Sequence, residues 1–149
     1  FLYLQRLAFG GKVTGQSYGV TTTGGARFNL TKLVPMLEDV HDRLAGVVIE
    51  CLPFDQLFPR YDRPHTLFYC DPPYWGNEQD YGDGIFCRGD FDRLSAFLRG
   101  IQGRFILSIN DRPEVRELFA WADIEEVGLN YRVSGAVTPA RELIITGGG

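Results

Sequence analysis

Leu67-Phe68-Tyr69-Cys70-Asp71-Pro72-Pro73-Tyr74 is an apolar, β-rich run that ends in an Asp-Pro-Pro-Tyr tetrapeptide. The run reads as a strand. Pro72 and Pro73 have no N–H and continue neither a ladder nor a helix, so the strand must stop there. Pro72 also biases Asp71 toward an extended backbone, which turns the groups at the strand end outward. Ligands of open α/β sheets bind at such carboxyl ends of strands. Asp-Pro-Pro is also a common strand-ending turn, and an aromatic after it can be simple packing. The apolar run directly before the tetrapeptide weighs toward a site.

The tetrapeptide has the groups that methyl transfer to an amino nitrogen on a planar base requires. Such a nitrogen is a poor nucleophile because its lone pair is delocalised into the ring. It attacks a methyl group when acceptors grip its hydrogens and favour an sp3-like nitrogen. Asp71 offers a carboxylate, and the Pro72 carbonyl is free to accept as well. Tyr74 offers a flat face on which an extruded base can stack.

The rest of the chain alternates helix and strand. Phe1 to Ala8 reads as the end of a helix. Phe9 to Arg27, rich in Gly and Thr, reads as loop or hairpin. Leu33, Leu37, Val40 and Leu44 repeat with a helical period over Thr31 to Leu44, capped by Asn29 or Thr31. Val47-Val48-Ile49 reads as a short buried strand. Phe54 to Phe58 reads as a short helix stopped by Pro59. Trp75 to Gly89 is acidic, Gly-rich and too long for a tight connection, which suggests a lid. Glu78, Asp80 and Asp83 would be awkward there against phosphates. Asp90 is expected to cap a helix through Ile101, with Phe91, Leu94, Phe97, Leu98 and Ile101 on one face. Phe105 to Ile109 is a β-rich core strand ended by Ser108, Asn110 and Asp111. Pro113 starts a helix to Trp121. Ile124 to Val133 and Leu143 to Ile145 are two closing strands around a Gly-containing loop, and Gly147-Gly148-Gly149 reads as a frayed tail. The fold class is α/β, with a terminal antiparallel hairpin. Residues 1–149 form one domain, in which 46–149 carry the catalytic sheet.

Composition sets outer limits. A length of 149 residues, 44% hydrophobic and 23% charged, fits one globular domain with a core. No apolar run reaches the roughly 18–20 residues that a membrane helix needs. Cys51, Cys70 and Cys87 have no metal-type spacing and read as reduced packing thiols. His41 and His65 are isolated, so no metal site is expected. The net charge of −4 argues mildly against a duplex partner, but residues 1–37 carry +4 from Arg6, Lys12, Arg27 and Lys32 and no acid. A basic segment on an acidic body can still reach phosphates; four spread charges can equally be solvated surface.

Several blocks in order make the chain similar to the Dam-like DNA adenine methyltransferases, most of all their phage and prophage members. These blocks are Phe1-Leu2-Tyr3-Leu4-Gln5-Arg6 with Phe9-Gly10-Gly11-Lys12, Ala26-Arg27-Phe28-Asn29-Leu30, and Arg60-Tyr61-Asp62-Arg63-Pro64. Asp71-Pro72-Pro73-Tyr74-Trp75-Gly76 with Asp80-Tyr81-Gly82 follows, then Phe105-Ile106-Leu107-Ser108-Ile109-Asn110-Asp111 and Arg141-Glu142-Leu143-Ile144-Ile145. The resemblance implies a methyltransferase sheet of Rossmann type. It also implies S-adenosylmethionine as cofactor and duplex DNA with a flipped adenine as substrate. On it, Asp71, Pro72 and Tyr74 would be catalytic, and Asp71 and Phe54 would touch the cofactor. Pro73, Trp75, Tyr81, Lys12 and Arg27 would touch the substrate. Residues 1–29 would end the target-recognition region. A cytoplasmic enzyme, encoded by a bacterium or a phage, would follow.

Two departures qualify the resemblance. Such enzymes carry a Phe-x-Gly-x-Gly loop that cradles the cofactor, and no such motif occurs here; Phe9-Gly10-Gly11 has the wrong spacing. The chain is therefore expected to be the C-terminal part of a longer enzyme, with a sheet incomplete at its N-terminal side and unstable alone. Where many relatives have an acid before a Phe, this chain has Pro53-Phe54. Two other functions compete: a catalytically inactive remnant that binds nucleic acid or a partner, and a methyltransferase for RNA or a protein amide. Cytosine competes with adenine as the base.

Overall fold

The computed structural model describes residues 1–8, 17, 19, 24, 28–79, 82–133 and 136–149, without the side chains of 130–139. The chain divides into two compact units, Phe1–Glu50 and Cys51–Gly149.

The first unit has helices α1 (Leu2–Leu7) and α2 (Leu30–Leu44). Asn29 caps α2, its side chain accepting from the Thr31 N–H at 2.9 Å. Of the apolar stripe only Leu33 is buried, while Leu37, Val40 and Leu44 stay exposed. The strand expected at Val47-Val48-Ile49 does not form: the three belong to no helix or strand and are exposed. An apolar tripeptide becomes a strand only where a neighbour completes its ladder, and none of the described residues pairs with it.

The second unit is a four-stranded sheet in the order β1-β2-β4-β3. Its strands are β1 (Leu67–Cys70), β2 (Arg104–Asn110), β3 (Asp123–Val133) and β4 (Ala136–Gly148). β1 and β2 are parallel and joined through α4 (Arg88–Gly100). β2–β4 and β4–β3 are antiparallel, so the expected terminal hairpin is present. The sheet is mixed α/β and consistent with a methyltransferase-like fold.

The alternation of strand residues decides which face is buried. Phe68, Cys70, Phe105, Leu107, Ile109, Leu143 and Ile145 form one core, with Phe91, Leu94 and Leu98 of α4. Each such side chain contributes roughly 1.5–3 kcal/mol of transfer free energy. Val115 and Phe119 of the segment after β2 complete the layer. The residues between them in β1, Leu67 and Tyr69, are exposed.

Several elements differ from the sequence reading. Helix α3 (Phe54–Tyr61) runs through Pro59 instead of stopping there. The proline removes only one hydrogen bond near the helix end. Packing outweighs it: Phe58 is buried and meets Phe68 edge to face at 4.7 Å. Asp90 is not the N-cap of α4; Cys87 is, and Asp90 caps in reverse from the first turn. Its carboxylate accepts the Cys87 N–H at 2.8 Å. Helix α5 (Pro113–Leu118) stops short of Trp121. The chain tightens into 3₁₀-type bonds there, and the Trp121 indole N–H donates to Ser95 Oγ at 3.0 Å.

β4 is far longer than Leu143 to Ile145, and Gly147 and Gly148 are not a tail. They pair with Phe105 and Arg104. Gly148 has φ +89°, and a Cβ there would overlap the Gly103 carbonyl. Cys70 is buried and desolvation pushes its thiol up to about 12, so it is a packing group. Cys51 and Cys87, read as packing too, are exposed.

Candidate active site

The Asp-Pro-Pro-Tyr turn sits at the carboxyl end of β1, beside the carboxyl end of β2. Asp71 is exposed, Pro73 is buried, and Pro72, Tyr74 and Trp75 are half-buried. The two prolines contribute no main-chain donors to the turn, and side chains of the neighbouring strands hold the residues after them. The Trp75 N–H donates to Asn110 Oδ1 at 2.8 Å, and Asn110 Nδ2 donates to the Trp75 carbonyl at 3.1 Å. The Tyr74 hydroxyl donates to Glu142 Oε1. Asn110 and Glu142 are register partners across β2 and β4. One cross-strand pair therefore grips two successive residues of the turn.

A cleft of about 350 Å³ opens beside this grip, lined by Tyr74, Trp75, Asn110, Asp111, Arg112 and Glu142 among others. Asp71 stands outside its lining. On the far wall Arg116 binds Asp111 with two hydrogen bonds, of 2.6 and 3.0 Å, and Glu126 at 2.7 Å. The Arg116 guanidinium holds the Asp111 carboxyl below the usual carboxylate range. Arg141 stands 3.6 Å from Glu126 and 3.9 Å from Asp111. These exposed ion pairs shape the wall and contribute little to stability.

Trp75 is engaged by residues at the start of α4. Its ring packs on Phe91 at 4.9 Å, and the Arg88 guanidinium lies 4.1 Å from its centroid. Arg88 in turn pairs with Glu78 at 2.9 Å. Burial pushes Glu78 up, but the N–H groups of Glu78 and Gly76 with the Arg88 charge bring it below its ordinary value. Phe54 lies in an aromatic cluster with Phe58, Phe86 and Phe97, at 6.0–6.2 Å. Below the lid, burial likewise pushes Asp90 up, but hydrogen bonds from Arg93 and Cys87 hold it lower.

Asp71, Pro72, Pro73, Tyr74 and Trp75 are thus together, while Phe54 belongs to the α3–α4 packing. Tyr81, Lys12 and Arg27 lie outside the described residues, as does most of the Gly- and Thr-rich stretch. Arg6 lines a small cavity of the first unit with Phe28, Asn29 and Lys32. Asn110 was legible only as a strand end and Glu142 only within a matching block. A buried acid at the mouth of a Leu-Ile-Ile run was the available signal for Glu142.

Among the described residues no group of three or more His, Cys, Asp or Glu could hold a metal ion. No helix among them is long and apolar enough to cross a membrane.

The carbonyl and carboxylate acceptors at the strand end, with the aromatic ring after them, can grip an amino group on a flat base. No curated protein matches the chain. The family model for D12 class N6 adenine-specific DNA methyltransferases matches residues 1–133, nearly all of it. The chain belongs to that family, whose members methylate the N6 of adenine in DNA.

Proposed function

We propose that this chain carries the acceptor half of an S-adenosylmethionine-dependent methyl transfer to the 6-amino group of a flipped adenine in duplex DNA. The observation that carries the proposal is the side-chain-held Asp71–Trp75 turn at the mouth of the cleft. Asp71 accepts one hydrogen of the amino group. The Pro72 carbonyl accepts the other, and Tyr74 stacks on the ring. Pro73 is the buried foot of the turn, and Trp75 shapes the cleft from its lid side.

The cofactor fits in part. S-adenosylmethionine, when bound, supplies an electrophilic methyl group. The exposed Asp71 carboxylate suits the reacting end. A glycine cradle for the nucleoside is missing from the sequence, and Pro53 occupies the place of an acid beside Phe54. The second reading is an inactive remnant that binds nucleic acid or a partner.

Incubation with labelled S-adenosylmethionine and unmethylated DNA, followed by digestion, separates the two. The expected product is 6-methyladenine, absent with Asp71→Ala. Absence of label with the unaltered chain, and still with a longer chain that adds a Phe-x-Gly-x-Gly segment, would favour the remnant.

A further inference from the structure

We infer that Glu142 is a positioning residue that fixes where the Tyr74 ring lies, by holding its χ1. The inference rests on the stacking role of Tyr74 proposed above, and adds the group that keeps that ring in place. Glu142 is 7% exposed and lies in an otherwise apolar strand segment with Leu143 and Ile145. A carboxylate so buried is retained only with strong partners. Its Oε1 takes the hydroxyl proton of Tyr74, a residue 68 positions earlier in the chain. A hydroxyl–carboxylate bond of this kind is about twice as strong as a neutral one.

Geometry makes the bond a tether rather than a clamp. The phenol oxygen lies on the long axis of the ring, so the bond leaves rotation about that axis free. It restrains the swing of the whole ring about χ1. Tyr74 follows two prolines, and its carbonyl accepts the Asn77 N–H at 2.8 Å, so its backbone end is already held. With both ends held, the ring stays in one place beside the cleft that Glu142 also lines. A stacking surface serves a reaction best when it is in place before the base arrives. Asn110, opposite Glu142, holds the next residue's main chain.

The test is NMR on the full chain with labelled tyrosine, the Tyr74 signals being assigned by their loss in Tyr74→Phe. The couplings that report χ1 should show one rotamer in the unaltered chain. They should average in Glu142→Ala and return to one rotamer in Glu142→Gln, whose amide oxygen still accepts. 9-Methyladenine should shift the ring signals and bind about tenfold more weakly to Glu142→Ala, the size of one lost hydrogen bond. If Glu142→Ala does not fold, the unaltered chain and Glu142→Gln still decide. An averaged Tyr74 rotamer in the unaltered chain overturns the inference, as does a single rotamer that survives in folded Glu142→Ala. A locked ring that ignores 9-methyladenine sinks the stacking reading and leaves the tether standing.

Discussion

The two ends of the sheet are built differently. At the end where β1 and β2 begin, the chain is knitted by main chain. The Arg104 N–H donates to the Thr66 carbonyl at 2.9 Å. The Asp62 carboxylate accepts the N–H groups of Gln102 and Gly103 at 2.9–3.0 Å. Backbones approach so closely that a Cβ on Gly103 would stand 2.6 Å from the Thr66 carbonyl. At the opposite end two prolines forbid that solution. Asn110 and Glu142 reach from neighbouring strands to hold the turn, and a cleft opens beside them. Close approach of main chains, with the Asp62 carboxylate as a further acceptor, closes the first end. Bracing by Asn110 and Glu142 leaves a cleft beside the second.

The sharpest test is a change that separates activity from stability. In an active enzyme Asp71→Ala should lower the methylation rate by about a hundredfold or more, the few kcal/mol of one preorganised acceptor. Its melting temperature should not move, because Asp71 is exposed. A rate near that of the unaltered enzyme would remove Asp71 from the site. Tyr74→Ala should also abolish most activity, while Tyr74→Phe keeps the ring but loses its tether to Glu142 and should fall by about tenfold, like Glu142→Ala.

The other end should respond the opposite way. Asp62→Ala removes a charged acceptor from two main-chain donors, which typically costs about 1.5–3 kcal/mol. Denaturant unfolding should show that loss. Gly148→Ala should destabilise as well, through positive φ and the overlap with Gly103. A chain that tolerates both changes would break the contrast between the ends.

Asn110→Ala lies between the two classes. It removes two neutral hydrogen bonds from the turn, worth about 0.5–1.5 kcal/mol each. Modest destabilisation and a fall in rate are expected together. Loss of stability alone would make Asn110 purely structural.

The smallest expected effect is with acid. Asp111 and Asp90 have folded pKa values below their ordinary ones. Their stabilisation is present above the unfolded aspartate value of about 3.9 and is lost as pH falls through the folded values. The protection of the Cys87 and Asp111 amides, relative to their intrinsic exchange rates, should therefore fall at acid pH. Asp90→Asn should flatten the pH dependence at Cys87.

Much of this was legible locally. The prolines after Asp71 forced β1 to end, and Asn29 marked the start of α2. The period of Phe91, Leu94 and Leu98 identified the buried face of α4. Where local rules failed, a distant contact outweighed them. Pro59 did not stop α3 because Phe58 is anchored on Phe68. Asp90 lost the cap to Cys87 because its carboxylate fits better from the first turn. Val47-Val48-Ile49 had strand composition but no neighbour among the described residues. Asn110 and Glu142 were invisible as partners of the turn because strand register is not written in either strand alone.

The sequence by itself determined that a strand would deliver two acceptors and an aromatic ring to a sheet edge. Proline chemistry leaves no other course at Asp71–Tyr74. Only the tertiary structure decided what holds them. It paired Asn110 with Glu142 across β2 and β4 and drew Gly147 and Gly148 into the sheet. Those choices depend on contacts across dozens of residues, and only the folded register brings them within hydrogen-bond reach.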